Sequence, residues 1–408
     1  MINVTLLINC GIIYLMIKAQ TLKGFRDFLP KEAKKRGYVI NTLKKVFESY
    51  GFEPLETPSL EYEEILAGKY GEEGDKLMYK FTDNGERKVA LRYDQTVPLA
   101  RVVTQYQNEL PFPFKRYQIQ NVWRAENTQK GRYREFLQCD IDTVGSPSLR
   151  ADAEIIVCAL ECVKKLGFKN VKVLINDRSV FNKLKPAYVS AIDKLEKIGK
   201  ENVIKELVEK GMDKTSAEKL INSFDDNKPV PGAISLFEDL EKLGLEKNKD
   251  FVFKASLARG LNYYTSTIFE IVCDDYPYGS LAGGGRYDNL IGIFAGKPIP
   301  AVGISFGFDR VIEAMDELNL FPAGLSITEV LVTNTNKWGL KIANTLRENG
   351  INAEVYLEEK DLEKQLKYAD KKDIPYSIIF DKEKLILKDM IRRTQETLTL
   401  EEIIKKIK

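Results

Sequence analysis

The stretch FKRYQIQNVWRAENTQKGRYREFLQCDIDTVG, residues 114–145, gives the strongest indication of the fold. Two segments of it, FKRYQIQNVWRAE and RYREFLQCDIDTVG, alternate between apolar and polar side chains, and the polar segment NTQKG lies between them. Alternation with a period of two is typical of β-strands, and two such runs joined by a short polar segment form antiparallel hairpins. The stretch therefore predicts a long antiparallel hairpin.

The second strand of this hairpin separates two kinds of side chain. Because successive side chains point to opposite faces, Leu137, Cys139 and Ile141 lie opposite Gln138, Asp140 and Asp142. The first face is suited to a core. The second is acidic and polar, and on pattern alone a solvated outer face is the more common explanation.

Regular patterns continue on both sides of the hairpin. Ile40, Leu43, Phe47 and Tyr50 fall on one face of a predicted helix that Gly51 ends. The proline-containing segment GFEPLETPSLE is predicted to be extended. An amphipathic helix and the strand VKVLIND follow the hairpin, and the Lys/Glu-rich residues from about 180 to 245 predict a helical insertion.

The last third of the chain contains glycine-rich turns and then a separate domain. LAGGGRYDNLIGIF and AVGISFGFDRVIEAM each lead from a glycine-rich turn into a helix. Residues 328–408 alternate strand, helix, strand, helix, strand, which predicts a compact α/β domain. We therefore expect an extension at 1–20, a main domain at 21–325 and a second domain at 326–408.

Composition excludes several kinds of chemistry. Lys plus Arg number 62 and Asp plus Glu 60, so the net charge of +2 leaves nucleic-acid binding to local basic patches. The 408 residues include no histidine, which excludes Ser-His and Cys-His nucleophile schemes and the most common general base. Arginines, carboxylates, bound ions or groups of the substrate must carry any reaction.

The cysteines and the first residues bear on localisation. The five cysteines form no C-x-x-C pair, which favours a reducing cytoplasm, and Cys158 and Cys162 are expected to be core thiols. The apolar run in MINVTLLINCGIIYLMIKAQ is short for a membrane span and lacks the basic start of a signal peptide. It is interpreted as an atypical extension, and no membrane partner is expected.

Arginines recur beside turns and element ends, at Arg124, Arg259, Arg286 and Arg310. A guanidinium is a planar, permanently charged fork suited to phosphate or carboxylate. Any one of them alone could be a surface salt bridge. The sequence contains neither a Walker A pattern nor a G-x-G-x-x-G fingerprint on a strand-to-helix turn, so the two most common nucleotide-binding folds are disfavoured.

Together these segments resemble a known family. The hairpin sequence is similar to motif 2 of class II aminoacyl-tRNA synthetases, GISFGFDRV to motif 3, and GFEPLETPSLE to motif 1 at the dimer interface. LARGLNYYTSTIFE, AGGGRYDNL and LRYDQTVPLAR resemble signature stretches of the histidyl-tRNA synthetase family. The resemblance covers residues 21–408.

The resemblance implies a fold and a reaction. The fold is α+β: an antiparallel-sheet class II catalytic core with a helical insertion, and a C-terminal α/β anticodon-binding domain. The reaction is that of a histidine–tRNA ligase, with ATP, L-histidine and tRNA(His) as partners, Mg²⁺ bound with ATP, and no metal site of the protein's own. A homodimer is also implied.

The family's functional residues can be transferred one by one. The resemblance implies that Arg259 and Arg124 are catalytic, that Arg124, Glu126 and Arg310 bind ATP, and that Lys130 and Arg132 meet the tRNA acceptor end. It assigns the binding of histidine to Asp94, Thr96, Gln138, Asp142, Tyr263 and Tyr264.

Two departures and two alternatives accompany the resemblance. Asn262 stands where the family usually has Asp, and Ser266 where Gly is common, which would matter if that position needs a positive φ. The non-catalytic alternative is the regulatory subunit of ATP phosphoribosyltransferase, which resembles the same core but typically lacks the C-terminal domain and the RGLxYY stretch. A class II synthetase for proline or threonine would lack the two tyrosines.

Overall fold

The computed structural model describes residues 6–9, 12–15, 18–128, 132–259, 264–322, 324–334, 338–381 and 384–408. Its internal contacts divide the chain into two units. The first comprises Met1–Phe28 and Val39–Leu320, and the second Leu29–Tyr38 and Phe321–Lys408.

The first unit is built on strands and helices that follow the predicted order. Its strands are β1 (Leu6–Asn9), β2 (Ile12–Leu15), β3 (Glu53–Pro54), β4 (Leu60–Tyr62), β5 (Lys80–Thr82), β6 (Lys88–Leu91), β7 (Phe114–Trp123), β8 (Glu135–Val144), β9 (Val171–Asp177), β10 (Phe251–Phe253), β11 (Thr267–Cys273), β12 (Ala282–Arg286) and β13 (Ala301–Phe306). Its helices, the first of which begins in the second unit, are α1 (Pro30–Ser49), α2 (Glu63–Leu66), α3 (Gly71–Lys76), α4 (Thr96–Gln105), α5 (Leu149–Lys165), α6 (Pro186–Ile192), α7 (Leu195–Glu209), α8 (Lys214–Ser223), α9 (Pro231–Lys242), α10 (Gly292–Ala295) and α11 (Phe308–Glu317).

An eight-stranded sheet forms the centre of this unit. Its order is β10-β9-β11-β12-β13-β8-β7-β3. All neighbours from β9 to β7 are antiparallel, and only the two outer pairs, β10 with β9 and β3 with β7, are parallel. The predicted α+β class with an antiparallel core is confirmed.

The predicted hairpin is β7 and β8. Arg116 pairs with Asp142, Gln118 with Asp140 and Gln120 with Gln138. The three polar residues of β8 are only 8%, 3% and 4% exposed at Gln138, Asp140 and Asp142. The solvated-face explanation is therefore wrong, because these polar side chains are buried and do not face bulk solvent.

Local patterns also predicted α1 correctly. Leu43 and Phe47 are fully buried, the helix ends at Ser49, and Gly51 adopts a φ of +75° that favours glycine. Ser266 is not among the described residues with positive φ, so a serine fits its backbone without strain.

The glycines of β12 permit an unusually close approach of two strands. A Cβ added at Gly284 would lie 2.0 Å from the carbonyl oxygen of Gly303 on β13. Any side chain there would separate the two strands, so this glycine is required by packing rather than by its backbone angle.

The region interpreted as a helical insertion contains four helices, α6 to α9. Helices α6, α7 and α8 share an apolar cluster that includes Val189, Leu207 and Ile221. Helix α9, which begins with Pro231 in its first turn, packs against α5 and β9 instead. The limits of the insertion and of the three predicted domains stay predictions.

The second unit contains β14 (Val330–Val332), α12 (Gly339–Glu348), β15 (Ala353–Val355), α13 (Leu362–Lys371), β16 (Tyr376–Asp381), β17 (Lys384–Asp389), β18 (Gln395–Leu398) and α14 (Leu400–Ile407). Its sheet has the order β15-β14-β16-β17-β18. The first three strands are parallel and alternate with helices as predicted, and β17, β18 and α14 extend the pattern. Across the described part of the chain, no helix combines the length and apolar character needed to cross a bilayer.

Candidate active site

A cleft of about 1230 Å³ opens in the first unit and collects the residues predicted to be functional. Those that line it are Asp94, Thr96, Arg124, Glu126, Arg132, Gln138, Asp142, Arg259, Tyr264 and Arg310. Tyr263 and Lys130 lie outside the described residues. Side chains more than 200 positions apart along the chain therefore share one cleft.

One wall of the cleft is the polar face of β8. Asp142 Oδ2 lies 2.8 Å from Arg116 Nη2, and its Oδ1 accepts a hydrogen bond from the Tyr287 hydroxyl. Gly303 lies opposite, where a Cβ would stand 1.9 Å from Asp142 Oδ1. Burial raises the pKa of Asp142, although Arg116 and Tyr287 oppose the shift.

Two further carboxylates stand near Asp142. Asp94, just before α4, accepts hydrogen bonds from the Tyr70 hydroxyl at 2.8 Å and the Val97 amide at 3.1 Å, and burial raises its pKa. Burial raises the pKa of Asp140 to about 7. Arg124 acts on Asp94, and Arg116 acts on Asp140 and Asp142. Burial still raises the pKa of all three carboxyl groups, so the wall suits a further cationic group such as an ammonium.

Arg124 follows the end of β7 and is held at a defined orientation. Its Nε donates to the Tyr93 carbonyl at 3.1 Å, and its guanidinium lies 4.5 Å from the centre of the Tyr93 ring and 5.1 Å from that of Phe136. Glu126 Oε2 lies 3.7 Å from Arg132, whose side chain is 60% exposed. Arg124, Glu126 and Arg132 therefore bring both positive and negative charge to this part of the cleft.

Arg259 and Arg310 both contact Ser280. Arg259 Nη1 lies 2.5 Å from Glu270 Oε1 and 3.4 Å from Ser280 Oγ, and Arg310 Nη1 donates to the Ser280 carbonyl at 2.9 Å. A Cβ at Gly283 would lie 2.3 Å from Arg259 Cζ, so the guanidinium rests directly on the backbone of β12. Two permanent cations that both contact Ser280 are suited to bind an anion, with Glu270 paired to one of them in this structure.

Arg286, the fourth arginine singled out in the sequence, is buried and makes contacts that hold the fold together. It is 4% exposed, its Nε donates to Asp152 Oδ2 at 3.2 Å, and its Nη atoms donate to the Ser146 and Ser148 carbonyls at 2.9 and 3.1 Å. It joins β12 to the start of α5 and does not line the cleft.

Sequence reasoning did not assign roles to four residues that complete the site: Arg116, Asp140, Glu270 and Tyr287. Arg116 and Asp140 could have been found, because the period-two pattern places them on the polar face of the hairpin. Glu270 ends the quoted segment LARGLNYYTSTIFE, but nothing local pairs it with Arg259. Tyr287 reaches Asp142 across 145 positions, and only the fold shows that contact.

The sequence matches two protein-family models. Residues 24–224 and 189–311 match the family model described as "Histidyl-tRNA synthetase", and residues 329–408 match "Anticodon binding domain". A protein of Cytophaga hutchinsonii named "Histidine--tRNA ligase" is 39% identical, with 96% of this chain and 100% of that protein covered.

Among solved structures, histidyl-tRNA synthetase from Nostoc sp. PCC 7120 superposes with a TM-score of 0.85 at 32% identity, over 96% of this chain and 99% of that chain. A protein of Bacillus halodurans described as "ATP phosphoribosyltransferase regulatory subunit/histidyl-tRNA synthetase" has a TM-score of 0.69 at 22% identity, covering 85% of this chain and 95% of that one. That second likeness extends to the fold alone. By its matched family model and its relatives over nearly the whole length, the chain belongs to the histidyl-tRNA synthetase family.

Proposed function

We propose that this chain is a histidine–tRNA ligase, which activates L-histidine with ATP to histidyl-adenylate and transfers the histidyl group to the 3′ end of tRNA(His). Diphosphate leaves in the first step and AMP in the second. The observation that carries the proposal is a single cleft that combines a buried acidic wall with adjacent arginines.

Histidine presents an ammonium, a carboxylate and an imidazole. We assign the ammonium to the acidic wall of Asp94, Gln138 and Asp142, where a cation would relieve the desolvation that raises both carboxyl pKa values. Thr96, which also lines the cleft, would assist Asp94 in binding the amino group. The rings of Tyr263 and Tyr264 would contact the imidazole.

Activation joins two anions, the carboxylate of histidine and the α-phosphate of ATP. Because the carboxylate is already ionised, the step needs charge neutralisation and alignment rather than a base, and the absence of histidine from the chain is no obstacle. Arg124 and Arg259 would contact the α-phosphate, with Arg259 also donating to the carboxylate. Arg310 would bind the γ-phosphate.

ATP would enter with Mg²⁺, and Glu126 would lie near the adenine. Within the described ranges, no group of three or more Asp, Glu or Cys side chains is arranged to hold a metal ion. The ion would therefore take most of its oxygens from the phosphates and water, as Mg²⁺ commonly does.

The remaining partners fit the same reaction. Lys130 and Arg132, which the sequence places between the two hairpin strands, would meet the acceptor end of tRNA, and the domain matched at 329–408 would bind the anticodon. We further propose a cytoplasmic homodimer, in which the segment GFEPLETPSLE lies at a two-fold interface.

Amino-acid-dependent ATP–pyrophosphate exchange, measured with each of the twenty amino acids, tests the proposal. Exchange that depends on histidine alone is the expected result. Exchange driven by proline or threonine would contradict the substrate, and no exchange with any amino acid would point to a non-catalytic protein.

A further inference from the structure

Gln138 and Asp140 form a buried pair on the acidic wall of the cleft. Gln138 Nε2 donates a hydrogen bond of 2.8 Å to Asp140 Oδ2, and both side chains line the cleft. The backbone beneath them is fixed, because β8 pairs with β7 and β13 and the Gln138 carbonyl accepts a further bond from Gln95 Nε2 at 3.1 Å.

This hydrogen bond determines which way the Gln138 amide faces. When Asp140 is ionised, its carboxylate can only accept hydrogen bonds, so it meets the amide nitrogen and not the amide oxygen, as the structure shows. Gln138 Oε1 is consequently turned away from Asp140. It is buried, and no described side chain or backbone group donates to it. A buried acceptor that lines a binding cleft is available to an N–H of a ligand.

The charged groups around Asp140 support this arrangement. Burial and the nearby Asp142 and Asp94 raise its pKa, whereas Arg116 and the Ser305 hydroxyl favour the ionised form. An ammonium bound beside the pair adds a second cation to Arg116 and stabilises the carboxylate that orients the amide.

We propose that Asp140 is a positioning residue, which fixes the Gln138 amide so that Gln138 Oε1 accepts a hydrogen bond from the α-ammonium of the amino-acid substrate. The inference rests on the proposed function, since it concerns the same substrate. Asp140 acts through Gln138, and its replacement weakens recognition of the amino group specifically.

Calorimetric binding of L-histidine and of imidazolepropionate, the analogue without the amino group, tests this role. Asp140→Asn removes the charge that selects the amide orientation while keeping the side-chain shape. We expect histidine to bind about tenfold more weakly, since one charge-assisted hydrogen bond is lost, and imidazolepropionate to bind within twofold of wild type. Thr143→Val, a buried isosteric change on the opposite face of β8, is the matched control and should leave both affinities within twofold.

A double-mutant cycle separates action through Gln138 from direct action. Gln138→Ala should lose the same preference for histidine over the analogue, and adding Asp140→Asn to it should cost less than a further twofold. Additive losses, or equal weakening of histidine and imidazolepropionate, would overturn the proposal. If Asp140→Asn fails to fold, as judged by circular dichroism, Asp140→Ser takes its place in the cycle.

The same titrations distinguish this inference from the proposed function. Wild-type protein that binds histidine while Asp140→Asn binds it equally well refutes the positioning role alone. Wild-type protein that binds no histidine overturns both.

Discussion

Replacing Arg259 with Ala separates catalysis from stability. In the structure the guanidinium is 36% exposed and its partner Glu270 is 20% exposed, and their atoms lie 2.5 Å apart. An ion pair this accessible to solvent contributes at most about 1 kcal/mol to the free energy of unfolding. The protein should therefore remain folded after the substitution.

The effect on the activation step should be much larger. As the carboxylate closes on the α-phosphate, negative charge concentrates where one planar guanidinium can donate to both groups. Loss of a preorganised donor from such a site costs on the order of 3 kcal/mol, which is roughly a hundredfold or more in rate. Affinity for histidine should fall less, because Asp142 and Gln138 still hold the ammonium.

Single-turnover formation of histidyl-adenylate, combined with urea unfolding, measures both quantities. A folded Arg259→Ala protein with a nearly wild-type rate would refute the catalytic role and leave a structural ion pair. Arg259→Lys keeps the positive charge but not the planar guanidinium, so its rate of adenylate formation should lie between those of wild type and Arg259→Ala. Gly283→Ala provides a positional control: its Cβ would stand 2.3 Å from Arg259 Cζ, so it displaces the guanidinium without removing it and should also slow the step.

Three further predictions concern other parts of the chain. Replacing Lys130 and Arg132 together with Ala should weaken aminoacylation while leaving pyrophosphate exchange largely intact, because both are cations in the polar sequence segment that separates β7 from β8. Equal loss of both activities would argue against a tRNA contact. Trp338, which is 48% exposed in the unit matched as an anticodon-binding domain, offers a ring on which a loop base can stack, so Trp338→Ala should raise the KM for tRNA several-fold without changing exchange. Burial raises the pKa of Asp140 to about 7, so its contribution to the free energy of unfolding is present below its unfolded pKa and is lost as pH rises through about 7. In urea titrations, the free energy of unfolding of Asp140→Asn relative to wild type should therefore be at least about 1 kcal/mol higher at pH 8 than at pH 5. A difference that does not depend on pH would show that Asp140 does not titrate as stated.

Properties set by neighbouring residues were predictable from the sequence. The hairpin of β7 and β8, the helix α1 and the strand–helix alternation of the second unit follow from side-chain periods of 2 and 3.6, which are local. The family motifs then identified ten residues that the cleft brings together, because each motif is a contiguous segment.

The role of a charged side chain depended on tertiary structure. Arg259 and Arg286 both lie near glycines and strand ends, yet Arg286 is buried against Asp152, 134 positions away, whereas Arg259 faces the cleft. The polar face of β8 looked solvated from its pattern, yet its side chains are buried in the cleft, where Arg116 and Tyr287 contact Asp142. A period reports which side chains share a face, but burial and charge pairing depend on what the rest of the chain packs against that face.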